Sequence, residues 1–173
     1  MSKQTSEVVQ TGQLEGAKIT ISALHNQGLQ ESITIINHGT VVQPMSGWVL
    51  ASLRGQVFYQ FPDDLRIRPG MSVVVISGQQ KNEIIFNKQL MQTELFWATG
   101  QVWNNHGDTA LLFDANDLEI DRYSYPHERV MGSSDKRKKS LKRGDNGFEI
   151  VEEVISHAQR GIRKQSDVMS SPS

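Results

Sequence analysis

The most enzyme-like residues of this sequence lie in one short segment, residues 104–108, which reads Asn-Asn-His-Gly-Asp. An imidazole and a carboxylate in one loop are groups that a general base or a metal-dependent hydrolase uses. His106 and Asp108 are therefore the candidate catalytic pair. The same residues also suit a tight turn, because Gly107 tolerates a positive φ and Asp108 can accept hydrogen bonds from the following amides. The turn is the favoured interpretation, and the hydrolase is the alternative.

The rest of the sequence offers little other catalytic chemistry. It has no cysteine, which excludes a thiolate nucleophile and a cysteine metal site. No two of its five histidines have the i, i+4 spacing of a helical metal site. Aspartates at 63, 64, 114 and 117 fit no calcium loop and are expected to form turns. The sequence therefore predicts a protein that is not an enzyme, with no metal, no cofactor and no evident small-molecule substrate.

A basic cluster is the strongest candidate binding site. Residues 1–125 carry 8 basic and 12 acidic side chains, whereas residues 126–173 carry 10 and 7. An acidic body joined to a basic arm is typical of partner binding, here to nucleic acid or another anionic partner. A solvated linker explains the cluster equally well. Six cations lie within the eight positions 136–143 and are Lys136, Arg137, Lys138, Lys139, Lys142 and Arg143.

A helix is predicted after the cluster, because Phe148, Val151, Ile155 and Ile162 recur at helical spacing. It either docks on its own body or awaits the groove of a partner, and a partner or self-association is favoured. The expected organisation is a disordered N-terminal segment at 1–17, a β body at 18–125, a basic flexible linker at 126–146, an amphipathic helix at 147–164 and a disordered tail at 165–173.

Short apolar segments separated by Gly, Pro and Asn turns fill residues 18–125 and predict an all-β sandwich or barrel. Leu118 and Ile120 share one phase of the last strand but Tyr123 and Tyr125 share the other, which predicts a β-bulge near residues 121–122. Residues 78–98 interrupt the rhythm and are expected to form a short helix or a long excursion, with a lid that closes the end of the sandwich as the favoured form. The strands before them lack the βαβ rhythm of a parallel sheet.

Tryptophans are the other candidates for a binding role, because their rings can stack on bases or sugars. In a sandwich such side chains are more often part of the core, and this is the expectation for Trp48. For Trp97 and Trp103, which lie close to the interrupted segment, the core and the stacking role both remain open.

Five segments share their order and residue types with a known family. They are residues 31–37 with a following Gly turn, residues 45–50, residues 59–62 with Leu65 and Pro69-Gly70, residues 103–112 starting at Trp103-Asn104, and residues 120–125. Together they resemble the lamin tail domain, an immunoglobulin-like β-sandwich, over roughly residues 18–125. No heptad rod precedes this stretch, and without cysteine the chain cannot be prenylated. The resemblance is therefore to a stand-alone member and not to a filament-forming lamin.

The resemblance implies a non-catalytic interaction and scaffolding module. The expected function is binding of a protein assembly or nucleic acid through the sandwich surface and the basic arm. Alternatives are the hydrolase centred on His106 and Asp108, and a structural subunit whose tail orders only in a complex. No signal peptide or membrane-spanning run is present. A cytoplasmic location is expected, or a nuclear one in a eukaryote, with no membrane partner.

Overall fold

β-strands make up the regular structure of the described part of this chain. The computed structural model describes residues 11–78, 85–87, 92–126, 137–145 and 147–154. These ranges contain no α-helix, and hence none able to cross a membrane. The strands of the described residues are β1 (Ile19–His25), β2 (Gln30–Asn37), β3 (Gln43–Pro44), β4 (Val49–Ser52), β5 (Val57–Gln60), β6 (Arg66–Ile67), β7 (Ser72–Gly78), β8 (Ile85–Asn87), β9 (Gln92–Ala98), β10 (Asp108–Phe113), β11 (Glu119–Tyr125), β12 (Arg137–Gly144) and β13 (Gly147–Val154).

Two sheets face each other and enclose the main core. One has the order β1-β2-β7-β9-β8 and the other has the order β11-β10-β4-β5. Side chains alternate along β2, so Ile33 and Ile35 are fully buried and their neighbours are half exposed. The predicted all-β sandwich is therefore confirmed. Its core contains Trp48, as predicted, together with Ile19, Ile21, Leu50, Val73, Val75, Leu95, Trp103, Ala110 and Leu112.

Residues 92–98 differ from their predicted structure. They form β9, which pairs with β7 in parallel, whereas the sequence predicted a helix or lid over 78–98 and no parallel pairing. Leu95 is buried, and Trp97 two positions later packs against the same core, which is the period of a strand. Trp97 also meets the buried Trp103 edge to face, with ring centroids 5.6 Å apart. Residues 79–84 and 88–91 lie outside the described residues.

The segment before β1 is attached to the sandwich from residue 11 onward, so the predicted disordered segment at 1–17 is corrected over residues 11–17. Trp48 donates its Nε1 hydrogen to the Thr11 carbonyl at 2.9 Å. The buried Gln43 side chain accepts from the Leu14 amide and donates to the Gly12 carbonyl. Because buried polar atoms need partners, these bonds account for the packing of the segment. Residues 1–10 lie outside the described residues.

The basic cluster and the start of the predicted helix form a β-hairpin instead. β12 and β13 pair antiparallel from Arg137 with Val154 to Gly144 with Gly147. The flexible linker is therefore wrong over residues 137–144, and the helix is wrong over 147–154. The turn explains both errors, because residues 145–147 are Asp-Asn-Gly, residue types that favour a tight turn between two strands. Residues 127–136 and 155–173 lie outside the described residues.

The hairpin covers the outer face of the four-stranded sheet. Every residue of β4 and β10 is buried, so both strands are enclosed on their two faces. Strands of this kind appear in a sequence as continuous apolar runs, as residues 110–113 do. The outward side chains form a second apolar cluster with the hairpin, consisting of Val49, Ala51, Leu111 and Phe113 of the sheet and Leu141 and Phe148 of the hairpin.

A β-bulge in β11 brings its tyrosines to the main core. Leu112 pairs with Asp121 and Phe113 pairs with Glu119, so Ile120 is the extra residue. Ile120, Tyr123 and Tyr125 all pack against the main core, because the inserted residue reverses the phase of the strand. The predicted bulge is confirmed, one residue before its expected position.

Candidate interaction surface

The corner at residues 104–108 is built around the carboxylate of Asp108, which is buried at the start of β10. Its Oδ2 accepts a 2.6 Å hydrogen bond from Ser52 Oγ, and its Oδ1 accepts from the amides of Arg54 (3.0 Å) and Thr109 (2.7 Å). The Asn104 amide also donates to Oδ2, at 3.5 Å. Asp108 therefore connects β4 to β10 and to the loop, which is a structural task.

His106 lies exposed in the turn of the same corner. Its backbone amide donates to Asn104 Oδ1 at 2.8 Å, closing the turn. No hydrogen bond joins its imidazole to Asp108, whose oxygens are occupied by the donors just described. The structure brings the two predicted catalytic residues into one corner but does not arrange them as an acid–base pair.

A second buried carboxylate, Glu31 in β2, holds the other half of this loop. Its Oε2 accepts hydrogen bonds from Ser77 Oγ at 2.8 Å and from the Val102 amide at 2.6 Å, and Oε1 accepts from the Trp103 amide at 3.2 Å. A buried carboxylate requires such donors. The three successive backbone amides of residues 102, 103 and 104 thus donate hydrogen bonds to the carboxylates of Glu31 and Asp108. Sequence reasoning missed Glu31, although it lies in phase with the inward isoleucines of its strand.

The hydroxyl of Tyr125 completes the fixation of the corner by donating to the Asn104 carbonyl at 2.8 Å. Burial, and then the negative charges of Asp108 and Glu31, raise the pKa of Tyr125 far above its ordinary value. The phenol consequently remains a donor at any physiological pH.

Other carboxylates also serve the fold, among them Asp114, which the sequence singled out. Asp114 accepts from the amides of Asn116 (2.8 Å) and Leu118 (3.0 Å), which is the predicted turn-forming role. Asp121 Oδ2 accepts from the Ile21 amide at 2.7 Å and so connects the two sheets through β11 and β1. Among the described residues, no group of three or more His, Cys, Asp or Glu side chains could hold a metal ion.

Glu119 is the main polar attachment point of the hairpin. It lies at the start of β11, where it pairs with Arg122 at 2.7 Å and with Lys138 of the hairpin at 2.9 Å. Ser140 Oγ donates to the same carboxylate at 3.4 Å. Burial raises the pKa of Glu119, but the hydrogen bonds and charges of Arg122 and Lys138 outweigh that effect and hold the pKa below its ordinary value.

The structure places acids beside three of the six residues of the predicted basic site. Lys138 binds Glu119, Lys139 lies 3.8 Å from Glu152, and Arg143 lies 3.1 Å from Asp117. Lys142 is exposed and stands opposite Glu149 in the strand register. Residues 137–154 carry five basic and four acidic side chains, so the hairpin is almost neutral. Arg137 begins β12, and Lys136 lies outside the described residues.

The predicted partner-helix residues Phe148 and Val151 lie on opposite faces of β13. Phe148 is buried under the sheet, with its ring centroid 5.0 Å from that of Phe58 and 5.8 Å from that of Phe113. The guanidinium of Arg143 lies 5.2 Å from the centre of the Phe148 ring. Val151 is half-buried at a position of opposite phase. Ile155 and Ile162 lie outside the described residues.

Apolar side chains remain exposed where the hairpin meets the edge of the sheet. β5 is the edge strand of the four-stranded sheet in the described part of the chain. On this strand Val57 and Phe58 are 41% and 44% exposed, and Ile150 of the hairpin is 42% exposed. Phe58 contacts Phe148, and Ile150 follows Phe148 by two positions on the same strand face. Val57 alternates with Phe58 and so points to the other face of β5. We call Phe58 and Ile150 the edge patch.

A cleft of about 390 Å³ lies beside the edge patch, between the hairpin and the end of the sheet. It exists only because the hairpin docks there, so sequence reasoning had no signal for it. We call it the hairpin cleft. It is lined by Leu53, Arg54, Gly107, Asp108, Thr109, Ser124, Tyr125 and Pro126 of the sandwich and by Lys139 and Ile150 of the hairpin.

Comparison with known proteins identifies the family. The family described as Lamin Tail Domain matches residues 13–127, well over half of the chain. No curated protein sequence matches. Among solved structures, the archaellum periplasmic stator protein FlaG from Sulfolobus acidocaldarius is similar over 63% of this chain and 99% of its own, with 10% identity and a TM-score of 0.37. The family match covers the two facing sheets and ends before the hairpin. The chain is a member of the lamin tail domain family.

Proposed function

We propose that this protein is a non-catalytic module that binds another protein through the surface formed by its hairpin and the adjacent sheet edge. The observation that carries the proposal is the edge patch. Phe58 of β5 and Ile150 of the hairpin leave apolar surface exposed where the hairpin, which is added beyond the family-matched region, meets the edge of the sheet. Exposed apolar surface is typical of protein–protein contact sites.

The use of the ionisable side chains supports a role without catalysis. Glu31, Asp108, Asp114 and Asp121 all accept backbone amide hydrogens at short distances. A catalytic carboxylate or base must instead face a substrate with an oxygen or nitrogen available. His106, the best remaining candidate, is exposed and lacks an orienting acid among its described contacts.

The charge pattern favours a protein over nucleic acid as the partner. Phosphate binding draws on cations that can release counterions when they meet the backbone. In the hairpin, Lys138 and Arg143 already pair with Glu119 and Asp117, at 2.9 and 3.1 Å. A surface of alternating charge beside apolar residues is better matched by a protein with complementary charges. The basic cluster as a nucleic-acid site stays a prediction, and the experiment below includes it.

The test is affinity capture from extracts of the source cells with the full chain as bait. Phe58→Glu and Ile150→Glu each place a charge in the edge patch, outside the main core. Leu29→Glu is the matched control, because Leu29 is 67% exposed in the turn between β1 and β2. We expect a specific partner, or a second copy of the chain seen by light scattering, to be lost with both patch variants and retained with the control.

Two results would contradict the proposal. Capture that is equally strong with both patch variants would place the contact elsewhere on the molecule. A gel-shift titration with duplex DNA provides the second: six engaged cations would give a log–log salt slope near -5, from roughly -0.9 per neutralised phosphate. Tight DNA binding with such a slope would make nucleic acid the principal partner.

A further inference from the structure

We propose that the hairpin cleft binds a carboxylate of the partner protein, an Asp or Glu side chain that stands next to an aliphatic residue. The inference deepens the proposed function and rests on it, because it gives the chemistry of the group that the partner inserts beside the edge patch. It requires that the cleft attract negative charge, offer hydrogen-bond donors and present an apolar wall.

Two cations from different parts of the chain line the cleft. Arg54 comes from the connection after β4 and Lys139 comes from the hairpin, and both side chains are exposed. Arg54 has an Nη1 hydrogen bond to the Gly107 carbonyl at 3.3 Å, which leaves other guanidinium hydrogens free to donate. Lys139 lies 3.8 Å from Glu152, a distance at which an exposed pair contributes little. An incoming carboxylate can therefore recruit both cations.

A pair of hydroxyls in the cleft leaves one hydrogen available. Thr109 Oγ1 and Ser124 Oγ lie 2.8 Å apart, and either can be the donor. Whichever donates, the hydroxyl that accepts keeps its own hydrogen. No acceptor for that hydrogen is found among the described residues, so the pair can donate one hydrogen bond to a ligand in the cleft.

The anion already in the cleft wall is a weak competitor for the cations. Asp108 is 7% exposed, and its two oxygens accept from Ser52, Arg54, Asn104 and Thr109. Hydrogen bonds from backbone amides spread the charge of a carboxylate over fixed dipoles. The Tyr125 hydroxyl donates to Asn104 and so adds no charge.

Part of the cleft lining is aliphatic. Leu53 packs against the outer apolar cluster, Ile150 belongs to the edge patch, and Pro126 follows β11. The volume of about 390 Å³ is at the small end for ligand pockets and suits one or two side chains rather than a cofactor. These features together specify an acidic side chain with an aliphatic neighbour.

The test is an NMR titration of the full ¹⁵N-labelled chain with acetyl-Leu-Glu-amide. Acetyl-Leu-Gln-amide and inorganic phosphate are titrated in parallel. We expect saturable shifts of the Arg54, Thr109 and Ser124 amides with the glutamate peptide, and binding about tenfold weaker with the glutamine peptide, since a charge-assisted hydrogen bond accounts for about that factor. Arg54→Gln and Lys139→Gln should each weaken the glutamate peptide, whereas Lys142→Gln, on the opposite hairpin face, should not.

Three outcomes would overturn the inference. The first is the absence of saturable shifts with the glutamate peptide, and the second is equal affinity for the glutamate and glutamine peptides. The third is an affinity for phosphate equal to that for the glutamate peptide, which would indicate a general anion site. Unchanged hairpin amide shifts in the Arg54 and Lys139 variants show that each is folded. If Arg54→Gln still captures the partner lost by Ile150→Glu, the carboxylate inference fails while the proposed function stands.

Discussion

Glu31 lies at an inward position of β2, in phase with Ile33 and Ile35, where an aliphatic side chain would ordinarily pack. Its place becomes intelligible only from the loop between β9 and β10, which crosses the end of the core and brings two amides to the carboxylate. The strand phase was readable in the sequence, but the donors lie about seventy residues away. Contacts at that separation depend on the assembled sandwich, and no local pattern encodes them.

We predict that Glu31→Gln lowers the free energy of unfolding by about 1–3 kcal/mol, because the amide cannot accept from all three donors and places its own hydrogens against them. Urea denaturation measures the change. Glu15→Gln is the control, since Glu15 is exposed ahead of β1. Equal stability of the two variants would show that the loop does not depend on the Glu31 charge.

Tyr59 provides a prediction about pH. Its ring packs against Phe61 and Trp97, and burial raises the pKa of its hydroxyl to about 12. An unfolded tyrosine loses its proton near pH 10, so between pH 10 and 12 the unfolded chain binds fewer protons and stability falls as pH rises. We expect Tyr59→Phe to show a shallower fall of the melting temperature over this range than the parent protein. An identical pH slope in both proteins would contradict the assignment.

At the scale of elements, the hairpin shows where local patterns mislead. Phe148 and Val151 are three residues apart, which fits one face of a helix, but the same residues in a strand point to opposite faces. The decisive signals lay elsewhere. Asp-Asn-Gly at 145–147 favours a tight turn, and the unbroken apolar run of β10 requires a cover on the outer face of the sheet. The apolar pattern of the hairpin segment alone does not show that the outer face of β10 must be covered by another part of the chain.

We predict that Phe148→Ala detaches the hairpin while the sandwich stays folded. Phe148 is the main aromatic contact of the hairpin with β5 and β10, and truncation of a buried phenylalanine costs about 3–5 kcal/mol. Hydrogen exchange should show lost protection in β12 and β13 with protection retained in β2 and β7. Val151→Ala, on the other strand face, is the control. Loss of protection throughout the molecule would mean that hairpin and sandwich unfold as one unit.

At the scale of the whole molecule, the sequence predicted the sandwich and its family, because both depend on strand rhythm and on motifs spread along residues 18–125. It also predicted an acidic body with a separate basic arm. In the structure these opposite charges meet, since Lys138 and Arg143 pair with Glu119 and Asp117 of the body. Part of the excess positive charge of the last third is therefore neutralised by ion pairs within the chain. The composition of a segment gives its charge but not its neighbours.

The end of the family match at residue 127 has a practical consequence for anyone who prepares this domain. A polypeptide stopped there keeps both sheets but loses the only described cover of Val49, Ala51, Leu111 and Phe113. We predict that such a fragment forms oligomers in analytical ultracentrifugation, because its outer apolar face is exposed. In the chain extended through residue 154 the hairpin covers that face. A monodisperse monomeric fragment would contradict this. In other lamin tail domains with an equally apolar outer face, the segment that covers the four-stranded sheet should be sought beyond the end of the family match.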